Sequence, residues 1–430
     1  MRIAVVGLWH LGTVTAASLA GEGHDVVAID DAAVVGPLDA GRVPVDEPGL
    51  SVLIAETRKT GRLRFATDPA AAIGAELIWL CYDTPVSDDD RPDVASVLNR
   101  ATQFLAAFTG EAVVVVSSQL PVGSVAELER RFTAAPLSFA AIPENLRLGS
   151  AIAYFRSPDR FVVGVRDQRT KATIERAIGQ FANSIVWMSV ESAEVTKHAI
   201  NAFLATSVTF ANELAAVCER TGADAREVER GLKSDVRVGP KAYVRAGEAF
   251  AGGTLARDLA FLAAIGDREH LGLAQLRATA ASNERHREWV YERIAAETGG
   301  VAGHRVAILG LVYKPGTDTL RASTAVALAR RLTESGATVI AYDPAIPADD
   351  GRLAGVATTV ASPAEALADA DVAVVATAWP QFKEIAAELF TRMRGNLVVD
   401  PARFLEDHLA AVDGIRYVAF GRAAVAGARS

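Results

Sequence analysis

The stretch S-A-E-V-T-K-H-A-I-N-A-F-L-A-T-S-V-T-F-A-N-E-L-A-A-V-C, Ser192 to Cys218, is the one the chain is organised around. Apolar residues recur in it at three- and four-residue steps: Val195, Ala199, Ala202 with Phe203, Phe210, Leu214 and Val217. That period predicts one long helix. A second apolar row, Leu204, Val208, Ala211 and Ala215, covers another side. A helix apolar on two sides is expected to be buried between partners. Gly222 is placed to stop it as a left-handed cap. Lys197 and Asn201 stand at i and i+4 and so point the same way. Burying such a pair is costly unless it has work to do. A role in chemistry is therefore preferred to two residues satisfied by neighbouring loops.

Upstream, Arg2–Val6 is a short β-branched run that reads as a buried parallel strand. It is followed by G-L-W-H-L-G (Gly7 to Gly12), a helix to about Gly21, a strand Asp25–Ile29 and then Asp30. Strand, glycine loop, helix, strand and acid in this order mark a dinucleotide site, the acid bonding a ribose 2′-hydroxyl. Gly7, Trp9, His10, Leu11, Gly12 and Asp30 are the expected cofactor-binding residues. Asp30 would repel a 2′-phosphate, so NAD is favoured over NADP. Trp9 stands where the second glycine normally lets backbone approach the pyrophosphate; either the cofactor sits differently or Trp9 turns away. Further strands are expected at Leu77–Cys81, Ala112–Ser117, Phe139–Ile142, Phe161–Val165 and Ile185–Met188. Their carboxyl-terminal turns would place Thr84, Pro85, Ser118 and Glu144 at a ligand crevice. Plain turn chemistry is the alternative reading for these four.

The 430 residues suffice for two to three domains, and an apolar content of 50% allows a sizeable core. A net charge of −8 with interspersed signs argues against nucleic acid as the main partner. Two cysteines, Cys81 and Cys218, make no disulfide framework, which fits a reducing cytoplasm. The seven histidines show no metal-ligand spacing, so no metal is expected. Met1 runs directly into a strand without a signal peptide, and no apolar run is expected to span a membrane.

Downstream of the long helix, residues 231–258 are rich in Gly and basic side chains, and Gly252-Gly253 would let backbone approach a ligand. Helices are expected at about Asp258–Leu271 and Leu276–Thr298, then a linker, Gly299–Gly303. Strands at Arg305–Leu309, Thr338–Tyr342, Val372–Ala376 and Leu397–Val399 form a second βαβ half without the glycine fingerprint. An alanine-rich helix is expected from the capping box Ser362-Pro363-Ala364-Glu365 to about Ala370. Lys314, Arg321 and Arg403 lie near strand carboxyl ends, where cations suit a phosphate. The expected fold is α/β: two Rossmann-like doubly wound domains, 1–190 for NAD and 299–430 for a nucleotide, joined by a helical dimerisation region, 191–298.

With Ala193–Asn201 and the following Ala202–Thr206, Pro158-Asp159-Arg160, Gly310-Leu311, Lys314–Asp318 with Arg321, and Asp343-Pro344 in view, the chain resembles the UDP-glucose/GDP-mannose dehydrogenase family over nearly its whole length. The resemblance implies oxidation of a sugar C6 alcohol to a carboxylate in two hydride transfers to NAD, with a cysteine capturing the intermediate as thiohemiacetal and thioester. It implies that Lys197 and Asn201 handle the alkoxide and its water, with Asp258 supporting them and Glu144 beside them. Arg237, Phe250, Gly252, Lys314 and Arg403 would contact nucleotide or sugar, Arg237 across a homodimer.

Aligned from Gly247 and Phe250 through Asp258, the cysteine position is Thr254. Leu148, Gln119 and Arg257 likewise depart from the family pattern. A hydroxyl needs an adjacent base to act as a nucleophile and would form an ordinary ester, whereas the first hydride transfer needs only a base and an oriented acceptor. The expectation is therefore NAD-dependent hydride removal from a nucleotide sugar or nucleoside that does not reach the carboxylate. A redox-neutral dehydratase or epimerase working through a transient carbonyl, a full dehydrogenase by a cysteine-free route, and a non-catalytic nucleotide-binding protein remain as alternatives.

Overall fold

The computed structural model describes residues 1–85, 92–143, 146, 148–181, 184–250, 254–321 and 323–422. The chain forms two compact units, residues 1–200 and 201–430. The first is built on an eight-stranded sheet: β1 Arg2–Val6, β2 Asp25–Ile29, β3 Leu63–Ala66, β4 Leu77–Leu80, β5 Ala112–Val116, β6 Leu137–Ala141, β7 Phe161–Gly164 and β8 Ile185–Met188. The order is β3-β2-β1-β4-β5-β6-β7-β8, and only the β6–β7 pairing is antiparallel. Strands β1, β4 and β5 are buried almost throughout, which is why they are written as unbroken apolar runs. The edge strand β3 carries a single fully buried residue, Leu63, and has no apolar run to betray it.

The second unit holds a six-stranded, wholly parallel sheet: β9 Arg305–Leu309, β10 Thr338–Tyr342, β11 Thr358–Thr359, β12 Val372–Val375, β13 Leu397–Asp400 and β14 Arg416–Ala419, ordered β11-β10-β9-β12-β13-β14. The two strands not expected, β11 and β14, are again the edges. The Ser362 half of the capping box forms, Ser362 Oγ accepting from Glu365 N at 3.2 Å, while the Glu365 carboxylate accepts from the Ser362 hydroxyl (2.8 Å) and Ala361 N (3.4 Å). The helix it opens is nevertheless only Pro363–Leu367, because Ala368 turns extended and Asp369 takes a left-handed φ of 54°. The middle helices are Thr254–Arg268, Ala274–Arg287 and Trp289–Thr298. The single expected helix from Leu276 is thus two, joined through Glu288, whose backbone stays in the right-handed helical region.

The long helix runs Val190–Thr221, 32 residues, and Gly222 caps it at φ +79°, its N–H reaching Cys218 O at 3.1 Å. The rows of the folded helix cut across the two read from the sequence, and Leu204 and Val208 are only half-buried. The row through Ala202, Ala205, Ala211, Ala215 and Cys218 is buried. The row through Val195, Phe203, Phe210 and Val217 is exposed, Phe203 to 70%. The chain's own packing covers one face of the helix and leaves the other exposed, so the expected burial between partners is met within the chain on one side only. This helix is also, among the described residues, long and apolar enough by length and composition to cross a membrane, contrary to the expectation that no such run exists; 44% of its most apolar window is buried within the protein.

Candidate functional site

In the first unit the glycine turn after β1 forms a cradle. Gly7 has φ +91°, and a Cβ there would lie 2.6 Å from the Tyr82 nitrogen. A Cβ on Gly12 would lie 1.7 Å from the Gly7 carbonyl oxygen, so the helix His10–Gly21 can approach the turn only with glycine at its third position. Leu8 N donates to Asp30 Oδ2 at 2.6 Å, fixing the acid at the end of β2. Trp9 has an ordinary φ of −77° and is 49% exposed. No glycine conformation is required at this position, and the ring turns out to solvent. His10 Nε2 lies 3.0 Å from Glu47 Oε2, and Glu47 accepts from Gly149 N (2.8 Å) and Ala151 N (2.7 Å), tying the cradle to a distant loop. Leu11 is half-buried beside it. These residues fit a dinucleotide: two positions without room for a Cβ keep the backbone open to a pyrophosphate, and a carboxylate stands where a ribose would sit.

The strand-end loops carry the next group. Thr84 Oγ1 donates to Gln119 O at 2.6 Å, and Pro85 O accepts from Asp93 N at 2.7 Å, so these two hold loops together. Ser118 Oγ is buried without a hydrogen-bond partner. It lines one small cavity with Gln119, Pro143, Glu194, Lys197 and His198, so Ser118 and Lys197 are brought together. Glu194 was not anticipated. Its carboxylate accepts from Gly123 N (2.8 Å) and Val125 N (3.0 Å), capping the helix Ser124–Arg131, while burial pushes its carboxyl up from the ordinary range. Its signal is visible in retrospect: an acid three residues before Lys197, on the same helix face. Glu144 lies outside the described residues.

In the second unit, Asn201 Nδ2 donates to Asp258 Oδ2, and both residues are buried, Asp258 completely. Thr254 is exposed and opens the helix on which Asp258 sits one turn later. The preceding loop is clamped by side chains that sequence reading missed. Asn283 donates to Phe250 O and accepts from Phe250 N, both at 2.9 Å; Asn212 accepts from Gly247 N at 2.9 Å; His286 Nε2 meets Gly247 O at 2.7 Å. Gly252 lies outside the described residues. A cavity of about 860 Å³ is lined by Arg226, Arg230, Tyr243, Arg245, Glu248 and Lys383 among others. Glu248 keeps exposed surface in the cavity lining, yet the atoms packed around its carboxyl, and then the nearby Asp400, push it up to about 7. Arg403 also lines this cavity, yet its guanidinium is spent on Asp224 (2.6 and 2.8 Å) and Glu406 (2.7 and 3.0 Å), which holds Asp224 down to about 2. Arg237 is paired with its neighbour Asp235 at 2.7 Å on the surface. Lys314 is half-buried in the turn after β9, its carbonyl accepting from Thr317 Oγ1 at 3.0 Å.

Neither cysteine can serve at the Thr254 position. Cys81 is fully buried behind the glycine cradle, its Cβ 3.1 Å from where a Gly12 Cβ would be. Cys218 is buried on the long helix 17 residues beyond Asn201, on the order of 25 Å along the axis, and burial pushes its thiol up.

Sequence comparison matches three parts of the UDP-glucose/GDP-mannose dehydrogenase family: the NAD binding domain over residues 1–182, the central domain over 191–285 and the UDP binding domain over 307–407. A UDP-glucose 6-dehydrogenase of Rhizobium meliloti is 33% identical over 436 residues, covering 98% of this chain and 100% of the relative. The UDP-glucose 6-dehydrogenase TuaD of Bacillus subtilis is 32% identical, covering 99% and 94%. The structure of a UDP-glucose dehydrogenase from Pyrobaculum islandicum superposes with a TM-score of 0.86 at 30% identity, covering 98% of each chain. With the glycine cradle and Asp30 on one sheet and the Asn201–Asp258 pair beyond it in sequence, the chain belongs to the UDP-glucose/GDP-mannose dehydrogenase family and is an NAD-dependent oxidoreductase acting on CH–OH groups.

Proposed function

We propose that this enzyme removes a hydride from a hydroxyl-bearing sugar carbon of a UDP-sugar and releases the carbonyl product rather than the acid. The observation that carries the reading is the combination at the start of the helix Thr254–Arg268. A hydroxyl stands at the position where the family resemblance expects a thiol, one turn before a fully buried Asp258 held by Asn201. NAD, when bound, supplies the hydride acceptor. Lys197 holds or takes the alcohol proton, Asn201 bonds the alkoxide oxygen, and Asp258 fixes the Asn201 amide so that its other N–H points at substrate. Thr254 has no thiolate to offer, so nothing captures the carbonyl for a second oxidation. The cations Arg230, Arg245 and Lys383 around the large cavity suit the diphosphate, whereas Arg226, like Arg403, is held by Glu406. The relatives named UDP-glucose 6-dehydrogenase make UDP-glucose the first substrate to test.

The exposed row Val195, Phe203, Phe210 and Val217 supports a homodimer, since four large apolar side chains on one helix face are costly to leave in water. Sedimentation at micromolar concentration should show a dimer, and Phe203→Glu a monomer. The functional reading is tested by product mass spectrometry with NADH stoichiometry across a panel of UDP-sugars. One NADH per carbonyl is expected. Lys197→Ala should abolish turnover and Thr254→Ala should keep most of it. No net NADH with solvent deuterium in the product would instead identify a redox-neutral dehydratase or epimerase. Two NADH per turnover with a uronic acid would overturn the proposal.

A further inference from the structure

The mouth of the groove beyond Asp30 is occupied by a residue that the glycine fingerprint does not include. Arg100, on the helix Val94–Ala107, places Nη2 2.6 Å from Asp30 Oδ1 and 3.0 Å from Asp31 Oδ2. Its guanidinium carbon lies 4.4 Å from the centre of the Tyr82 ring, so the cation is stacked as well as paired. Tyr82 is 6% exposed and Asp30 is fixed by Leu8 N, so both anchors of the guanidinium are rigid. Ile29, Thr67, Pro69, Gln103 and Phe104 line the same cleft, so it has a charged and polar mouth at Asp30, Asp31 and Arg100 and apolar walls at Ile29, Pro69 and Phe104. Among the described residues, Arg100 hydrogen-bonds through Nη2 alone, which leaves its remaining N–H groups for a ligand.

We infer that Arg100 is a cofactor-contacting residue that closes the adenosine end of the dinucleotide groove and sets how strongly the enzyme discriminates NAD from NADP. The inference rests on the NAD reading and deepens it. A flat base fits a slot walled by Ile29, Pro69 and Phe104, and a ribose diol next to it meets Asp30 as acceptor and Arg100 as donor. Two carboxylates, Asp30 and Asp31, surround one guanidinium, so the local charge is −1. A 2′-phosphate is repelled by the acids and attracted by the arginine. Arg100 therefore has two opposite effects: it strengthens binding of either cofactor, and it weakens the preference for NAD that Asp30 imposes. Burial of the Tyr82 phenol, which pushes it up to about 12, keeps that ring neutral beneath the cation throughout the working pH range.

The test is a titration of NADH and NADPH by fluorescence, together with steady-state kinetics in NAD and NADP, on the full-length wild type and on Arg100→Ala, Arg100→Gln, Arg100→Lys and Asp30→Ala. For Arg100→Ala, the KM for NAD should rise about tenfold with kcat within twofold, and the NAD-over-NADP ratio of kcat/KM should widen at least fivefold. Arg100→Lys should restore the ratio but only part of the affinity, since it keeps the charge and loses the stacked plane. Asp30→Ala should narrow the ratio. Arg100→Gln keeps the first methylenes and a polar end without the charge, so it should fold if Arg100→Ala does not, and it should show the same widened ratio. An unchanged ratio in both neutral variants would overturn the inference and leave Arg100 as a structural partner of Asp30. Failure of the wild type to bind either reduced cofactor would instead sink the NAD reading beneath it.

Discussion

The two sheets of this protein begin with the same turn and use it differently. After β1, Gly7 at φ +91° packs against Tyr82, and Leu8 N donates to Asp30. After β9, Gly310 at φ +94° packs against Thr377, and Leu311 N and Val312 N donate to Asp343 Oδ2 at 2.6 and 3.0 Å. In the first unit the helix starts at His10, three residues after the glycine, and Asp30 looks onto an open cleft. In the second unit the helix starts only at Thr324, and the indole Nε1 of Trp379 donates to Asp343 at 3.0 Å. Asp343 is 1% exposed and has its oxygens filled from inside. A strand, a glycine turn and an acid are thus a folding unit in both halves. They become a dinucleotide site only where the helix follows at once and the acid keeps a side open to ligand.

Substitutions at paired positions would break that comparison if it is wrong. Gly7→Val and Gly310→Val both force a Cβ into an occupied place at a left-handed φ, so both should lower the melting temperature. Strain of this kind costs roughly 1–3 kcal/mol before any clash. Only Gly7→Val should also lower NADH affinity, by roughly a hundredfold or more, as the clash moves the cradle; equal effects of the two on NADH binding would refute the assignment of the site to the first unit. Asp30→Ala should raise the Kd for NADH about thirtyfold, the value of a charge-assisted hydrogen bond of about 2 kcal/mol. Asp343→Ala should leave that Kd unchanged and destabilise the fold by about 3 kcal/mol in urea titration, since four donors lose their acceptor.

The comparison sharpens in the cavity of the second unit. Glu248 is neutral below about 7 and adds a negative charge to that cavity as pH rises through its pKa. Binding of UDP, followed by calorimetry, should therefore weaken about fivefold between pH 6 and pH 8.5, and Glu248→Gln should flatten the profile. The same residue should make the wild type lose stability relative to Glu248→Gln as pH climbs from 4.5 to about 7, where the unfolded carboxyl ionises and the folded one does not. The smallest effect is expected at the capping box. Ser362→Ala should cost about 1 kcal/mol of stability, read by thermal melting, with no change in either ligand affinity.

Most of the strands were legible because parallel strands buried on both faces must be apolar throughout. The edge strands β3, β11 and β14 were not, since an edge has little to bury. Gly7, Gly12 and Asp30 were legible because their chemistry is local: a turn, a helix approach and an acid lie within one βαβ unit. Arg100, Glu47, Asn283 and Glu248 were not, because each acts on a segment far from it in sequence. Arg100 reaches Asp30 across 70 residues and Glu47 reaches Ala151 across 104. Arg403 shows the reverse: its place after β13 suited a phosphate, but the folded chain brings Asp224 and Glu406 to it and consumes its charge.

By itself the order of residues determined the βαβ halves, the long helix with Lys197 and Asn201 one turn apart, and a threonine at Thr254 where the family resemblance expects a thiol, because backbone period and covalent identity are properties of the chain. Only the tertiary structure decided which glycine turn stays open, which face of the long helix is left to solvent, and which of the cations near strand ends remain available. Each of those depends on what a neighbouring segment has already filled, and hydrogen-bond donors, acceptors and apolar surface can each be satisfied only once.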